Sequence, residues 1–268
     1  MKVEGFLKEM VAIKKEEIDR HRSATPLKSV RKDAEQTKVP TSFLSAMQES
    51  TRDHAGIIAE IKKASPSRGD ILVDLDVEAY VKKYTTAGAS AISVLTESVY
   101  FKGSLTDLTL ACKATDLPVL RKDFIINDYQ IFEAKRSGAA SILLITTLLS
   151  PRQQADYTSL IRDLGMEPLV EINSEWEFEQ AYTSGARVVG INNRNLQTLE
   201  TDPTIAKRVV KIFPEDIIPV EASGISCRQD IEKGLEEKIF NFLVGESIVR
   251  AEDTKAFIQS LCQPTDAN

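Results

Sequence analysis

Eight short runs rich in β-branched residues and leucine recur along this chain, near 56–62, 90–95, 117–122, 140–145, 167–171, 187–192, 217–221 and 240–244, and the stretches between them carry helical periodicity. Val77, Tyr80, Val81 and Tyr84 share one helix face, and Leu160, Ile161 and Leu164 share another. Helix ends are marked as well. Ser150-Pro151 reads as an N-cap with a first-turn proline, while Ser174 with Glu177 and Ser226 with Gln229 have capping-box spacing. Ala87-Gly88-Ala89, Ser137-Gly138-Ala139 and Ser184-Gly185-Ala186 each place a glycine where a helix must turn left-handed before a strand. Strands that alternate with helices run parallel and are buried on both faces. The simplest architecture that uses all eight is an α/β fold closed as a single (β/α)8 TIM barrel.

The 268 residues suit that architecture, for which about 250 is typical. One barrel domain is expected over 51–268. Residues 1–50 read as an N-terminal helical extension packed on it: Phe6, Leu7, Met10, Val11 and Ile18 line one side of a helix, a polar stretch runs from His21 to Pro40, and Phe43, Leu44 and Met47 mark a second short helix. These apolar residues are too few for an independent core. A net charge of −6 without a long basic block argues against nucleic acid as a partner. No apolar run is long enough to span a membrane, and Glu4, Lys8 and Glu9 interrupt the N-terminus where a signal peptide would be apolar. The expected location is the cytoplasm. Cys112, Cys227 and Cys262 lack metal-site spacing and read as reduced thiols in packing or surface roles.

Barrels of this kind place chemistry at the C-terminal ends of their strands. The first strand ends in Glu60 and Lys62, which alternation puts on one face, and an acid and a base buried beside Ile58 and Ile61 are costly unless paired or used. Further strand ends carry Thr96-Glu97, Lys122-Asp123, Glu171 with Asn173, Asn192-Asn193-Arg194, and Glu221-Ala222-Ser223-Gly224. His21 and His54 both precede the first strand, which leaves lysines and carboxylates to move protons. Plainer readings stand beside these. Glu60 with Lys62 also fits a structural ion pair, Glu171 could merely neutralise the lysines, and Asn192 could satisfy strand carbonyls. Glu97, Asp123 and Glu246 read as loop or supporting residues, and Trp176 as packing.

Two glycines precede helix starts after the last strands, at Ser223-Gly224-Ile225-Ser226 and Gly245-Glu246-Ser247. Backbone N–H groups there would bind a phosphate, with Gly224, Gly245, Glu246, Ser247 and Lys62 as the candidate residues. Glu246 fits only if its side chain points away while its N–H points in.

These segments resemble the indole-3-glycerol phosphate synthase family of tryptophan biosynthesis. The likeness lies in Ile58-Ala59-Glu60-Ile61-Lys62-Lys63-Ala64-Ser65-Pro66-Ser67, Ser93-Val94-Leu95-Thr96-Glu97 with Tyr100-Phe101-Lys102-Gly103-Ser104, and Leu120-Arg121-Lys122-Asp123-Phe124-Ile125. It continues through Leu169-Val170-Glu171, Gly190-Ile191-Asn192-Asn193-Arg194-Asn195-Leu196 and Ser223-Gly224-Ile225, in order over nearly the whole chain. The resemblance implies ring closure of 1-(2-carboxyphenylamino)-1-deoxyribulose 5-phosphate to indole-3-glycerol phosphate with release of carbon dioxide and water. It implies Lys122 as general acid, Lys62 as a binder of the anionic substrate, and Glu60 and Glu171 for dehydration and for holding the lysines. Asn192 and Arg194 would position the anthranilate end or brace the site, Phe101 and Phe124 would wall the ring, and Ser65, Ser223 and Glu221 would complete substrate binding. No metal and no organic cofactor is implied, because restored aromaticity drives the decarboxylation. The expected partner is a small phosphorylated substrate, with no fused isomerase domain and a monomer or weak homodimer. A paralogous phosphosugar isomerase or lyase, or a non-catalytic phosphate-binding subunit, are the alternatives.

One position departs from the family pattern. The family commonly has Glu-Ser-Gly after the seventh strand, whereas Ala222 precedes Ser223-Gly224 here and the acid, Glu221, stands one residue earlier. A shift of one residue turns a side chain to the other face unless a bulge intervenes.

Overall fold

The computed structural model describes residues 5–38, 40–196, 198 and 200–263; the outermost residues of both expected segments, 1–4 and 264–268, lie outside them. The eight runs form eight strands: β1 (Gly56–Ile61), β2 (Ala91–Leu95), β3 (Val119–Lys122), β4 (Ser141–Ile145), β5 (Glu167–Ile172), β6 (Val188–Asn192), β7 (Ile218–Ala222) and β8 (Asn241–Val244). Each pairs in parallel with its sequence neighbours, and β1 pairs with β8 to close the barrel.

Strand alternation divides the core in two. Ile58, Leu120, Leu143, Leu169, Val220, Ala222 and Leu243 point inward and pack on one another. Ile57, Ala59, Ile92, Val94, Ile142, Val170, Val189 and Phe242 point outward, against the helices. Three helices precede the barrel: α1 (Phe6–Ala24), α2 (Leu27–Gln36) and α3 (Phe43–Gln48). Phe43 and Met47 of α3 join the inner cluster at the strands' N-terminal ends, where Asn241 Nδ2 donates to the Met47 carbonyl at 3.1 Å. Leu7 and Met10 of α1 join the same cluster, and Phe6 reaches the mouth at its other end. Much of the polar stretch, over 21–36, is helical. There α1 runs on to Ala24, and α2 buries Val30 and Ala34 against Tyr129 and Phe132.

The crossover helices are α4 (Val77–Thr86), α5 (Leu105–Ala114), α6 (Asp128–Arg136), α7 (Pro151–Asp163), α8 (Glu175–Thr183), α9 (Thr204–Val209) and α10 (Arg228–Glu236), with α11 (Glu246–Arg250) and α12 (Thr254–Cys262) after the last strand. Gly88, Gly138 and Gly185 close their helices at φ 93°, 94° and 82°, which a side chain at Cβ would disfavour. Ser150 caps α7 ahead of Pro151, as expected, and also forms a capping box with Gln153. Ser174 caps α8, but Glu177 reaches past it to the Asn173 N–H at 2.6 Å. Ser226 does not cap α10: that helix starts at Arg228 after Cys227, and Ser226 instead donates its N–H and hydroxyl to Asp230, at 3.0 and 2.9 Å. No helix among the described residues is long and apolar enough to cross a membrane.

Candidate active site

Inward-facing residues at the strand ends meet in a cleft at the C-terminal mouth. Glu60 lies at its base. Its Oε1 accepts from Lys62 Nζ at 2.8 Å and its Oε2 from Lys122 Nζ at 3.0 Å, so one carboxylate bridges two ammonium groups. Burial alone would raise the Glu60 carboxyl, but the two lysines outweigh it and hold the group at about 2. For Lys122 burial works against the charge, yet Glu60 and Glu171 prevail and its pKa is raised. Glu171 is raised as well, because burial is only partly offset by Lys122 and by the Asn192 amide, which donates to it at 3.0 Å. The mouth thus holds an ionised acid, two ammonium groups and a carboxyl that keeps its proton more readily than usual.

Leu95, Phe101, Phe124, Leu143 and Ile145 supply apolar walls, and Phe101 and Phe124 lie 6.3 Å apart between ring centres. Glu97, buried at the end of β2, shapes the loop that carries Phe101 by accepting the N–H groups of Val99, Tyr100 and Phe101 at 2.8, 2.7 and 3.0 Å. Phe6 of α1 forms a wall that sequence assigned to packing. Its ring lies 6.0 Å from Phe124 and 5.2 Å from Tyr100, edge on in each case.

A short hairpin, Ala64–Ser65 with Gly69–Asp70, follows β1 beside the cleft. Ser65 is buried there with a hydroxyl that has no partner among the described residues. Lys102 ties Asp70 to the loop after β2 at 2.5 Å, and Arg194 reaches Ser67 Oγ at 3.2 Å. The Arg194 N–H also donates to Asn192 Oδ1 at 2.9 Å, so the two residues hold each other at the end of β6.

At the far side, Ser223 and Gly224 both adopt positive φ, 70° and 85°. For a serine this is an uncommon conformation that its surroundings must hold. Gly245 lies close to the charged base: a Cβ there would come 2.3 Å from Glu60 Oε1 and 3.1 Å from Lys62 Nζ, so only glycine admits both side chains. Ser223 lines the cleft; Gly224, Gly245, Glu246 and Ser247 are not among its lining residues. Glu246 turns its carboxylate to Arg68 and Arg250, each at 3.3 Å. The Ser247 hydroxyl donates to the Ile225 carbonyl at 2.9 Å and braces one loop against the other.

The expectation for Glu221 also needs correction. The β6–β7–β8 register runs without a bulge, pairing Ile191 with Glu221 and Phe242 with Glu221, so alternation sends Ala222 into the barrel and Glu221 outward. There it accepts from Asn193 Nδ2 at 2.8 Å, and burial pushes its carboxyl up to about 7. Trp176, read as packing, is 62% exposed. No group of three or more His, Cys, Asp or Glu side chains among the described residues could hold a metal ion.

Known proteins resemble this chain over most of its length. The family model for indole-3-glycerol phosphate synthase matches residues 7–261. A protein of that name from Desulfosudis oleivorans is 53% identical over 206 residues, 77% of this chain and 78% of its own length. One from Carboxydothermus hydrogenoformans is 40% identical over 253 residues, 92% of this chain and 96% of its own. Among solved structures, thiamine phosphate pyrophosphorylase from Pyrococcus furiosus superposes with a TM-score of 0.58 at 15% identity, covering 78% of this chain and 95% of its own. That last likeness is one of fold alone.

Proposed function

The chain belongs to the indole-3-glycerol phosphate synthase family, and from that premise we propose which of its residues perform the reaction. The reaction closes 1-(2-carboxyphenylamino)-1-deoxyribulose 5-phosphate to indole-3-glycerol phosphate, with loss of carbon dioxide and water. The observation that carries the assignment is the bridge Lys62–Glu60–Lys122 at the base of an aromatic-walled cleft.

The ring carbon bearing the carboxylate attacks the ketone carbon, and Lys122 gives its proton to the carbonyl oxygen, which becomes a hydroxyl. Carbon dioxide then leaves with its bonding electrons returned to the ring. The hydroxyl departs as water with a proton from Glu171, whose raised pKa suits a donor, as the nitrogen lone pair forms a C=N bond; the carbon beside the nitrogen then gives its proton to the Glu171 carboxylate, which leaves the indole double bond and restores the acid. Glu60 stays ionised and holds both ammonium groups at the mouth, while Lys62 faces the substrate's anionic groups. Phe101 and Phe124 wall the aromatic ring on one side, and Asn192 and Arg194 hold its carboxylate. The unpartnered Ser65 hydroxyl is free to donate to the sugar. The phosphate rests on the Ser223-Gly224 turn and the Gly245 N–H, beside Lys62.

The extension 1–50 and the barrel 51–268 act as one unit, since α1 supplies a wall of the cleft. Location in the cytoplasm and a monomeric or weakly dimeric state complete the proposal. The test is direct. Purified protein incubated with the carboxyphenylamino substrate and a chelator should develop indole fluorescence at an undiminished rate. Absence of product, or product that requires added metal, contradicts the assignment.

A further inference from the structure

Glu221 is the acid that the mouth lacks, and the space behind β7 is shaped to hold it. Its side chain enters the layer between β7 and α10, opposite Gly234. A Cβ on Gly234 would lie 2.9 Å from Glu221 Oε2 and 2.4 Å from Phe242 Cε1. Glycine within a helix lowers stability, so its presence at 234 is matched to the carboxylate and ring beside it. Asp230 and Lys233 face Glu221 from α10 with opposite effects, but both have other partners: Lys233 pairs with Asp230 at 3.1 Å, and Asp230 accepts from Ser226. The hydrogen bond that Glu221 makes is to Asn193.

Asn193 is 1% exposed and every polar group on it is engaged. Its Nδ2 donates to Glu221 at 2.8 Å and to the Ser223 carbonyl at 3.3 Å, and its Oδ1 accepts from the Ala206 N–H at 3.0 Å. Its backbone N–H donates to the Ala222 carbonyl at 2.9 Å, and its own carbonyl accepts from the Asp202 N–H at 2.8 Å. A reversed amide would set oxygen against the Glu221 carboxylate and the Ser223 carbonyl and nitrogen against the Ala206 N–H, so the acid, whose bond is the shortest of the three, joins those two backbone groups in fixing which way Asn193 faces. Through that amide it reaches the serine whose left-handed backbone needs holding.

We propose that Glu221 is a positioning residue, which orients Asn193 and through it holds the Ser223-Gly224 turn that receives the substrate's phosphate. The inference rests on the phosphate assignment made above. The carboxylate thus serves the mouth from behind, one residue away from where the family's pattern places it.

Two variants separate this role from simple packing. Glu221→Met fills the same slot without an acceptor, whereas Glu221→Gln keeps an acceptor without the charge. Glu221→Met should raise both the inhibition constant of inorganic phosphate and the substrate KM by about fivefold, the size of one lost hydrogen bond, with a smaller change in kcat. Glu221→Gln should remain within about twofold of the wild type in both constants. Adding Asn193→Ala to Glu221→Met should cost less than Asn193→Ala does alone, because the two act in series. If a wild-type crystal grown in phosphate shows the anion at Gly224 and Gly245, yet Glu221→Met leaves both constants unchanged, the inference fails by itself. An anion bound elsewhere would overturn the phosphate assignment and this inference with it. A fall in kcat with both constants unchanged would also overturn it, since Glu221 would then bear on the chemistry.

Discussion

Lys122 and Asp123 are neighbours in sequence, yet alternation places them in two different clusters of buried charge. Just past the end of β3, the Asp123 side chain turns to the barrel's outer side and is closed off there. Its Oδ1 accepts from Lys14 Nζ at 2.7 Å and the Phe124 N–H at 2.8 Å, and its Oδ2 accepts from Thr96 Oγ1 at 2.5 Å and Arg121 Nη2 at 3.1 Å. Arg121 continues to Glu133 at 3.4 Å, which meets His21 of α1 at 2.7 Å. Burial is outweighed by Lys14 and Arg121, and the Asp123 carboxyl sits at about 2. On the inner face, Lys122 shares Glu60 with Lys62, Glu171 has a raised pKa, and the Ser65 hydroxyl has no partner among the described residues. Both clusters bear the cost of burying charge. The outer one satisfies its carboxylate fully and fastens α1 to the barrel, while the inner one leaves groups for a substrate to meet.

The comparison breaks most visibly at Lys122. Lys122→Ala should lower kcat and kcat/KM together by about 10³-fold, the range for loss of a general acid, with little change in melting temperature. A variant that keeps most of the wild-type kcat would remove the inner cluster's claim to the chemistry.

Lys14→Met tests the outer cluster and should act in the opposite sense. It leaves Asp123 buried without its closest cation, so urea denaturation should show a loss of about 3–5 kcal/mol, with a smaller fractional loss of kcat than Lys122→Ala. Unchanged stability would mean that the sealed cluster does not fasten α1.

A third, smaller effect concerns Glu221, whose folded pKa of about 7 stands above its ordinary 4.5. For an acid raised in this way, the folded state favours the protonated form. Its contribution to stability is full below pH 4.5 and is lost as pH rises through 7. Glu221→Gln, which cannot ionise, should therefore match the wild type at pH 4.5 and exceed it by roughly 2–3 kcal/mol at pH 8. Parallel stability curves for the two proteins across that range would contradict the assigned environment.

Much of this organisation was legible from residue order, because strand parity acts locally. Glu60 and Lys62 had to share a face, and Ala222 had to turn away from Glu221, once the strands were recognised. The helix-closing glycines were legible for the same reason. Ser226 was misassigned because Asp230, one position beyond the capping-box spacing, took its hydroxyl. Lys14 gave no signal at all: a lysine among Lys and Glu on an amphipathic helix reads as solvent-facing, and its partner at 123 is distant in sequence. Asn193 was noted only as part of a motif, since its bonds to Glu221, Ser223 and Ala206 depend on how the loops after β6 and β7 meet.

Lys122, held by Glu60, is the proposed acid of ring closure, and a crystal structure of Lys122→Ala with bound substrate would decide the matter. The crystal should hold unreacted substrate with its ketone oxygen in the space that the Lys122 ammonium occupied, its ring against Phe101 and Phe124, and its phosphate at the Ser223-Gly224 turn. A ketone oxygen bonded to Lys62 instead, with the space at 122 left unused, would contradict the claim and transfer the acid's role to Lys62.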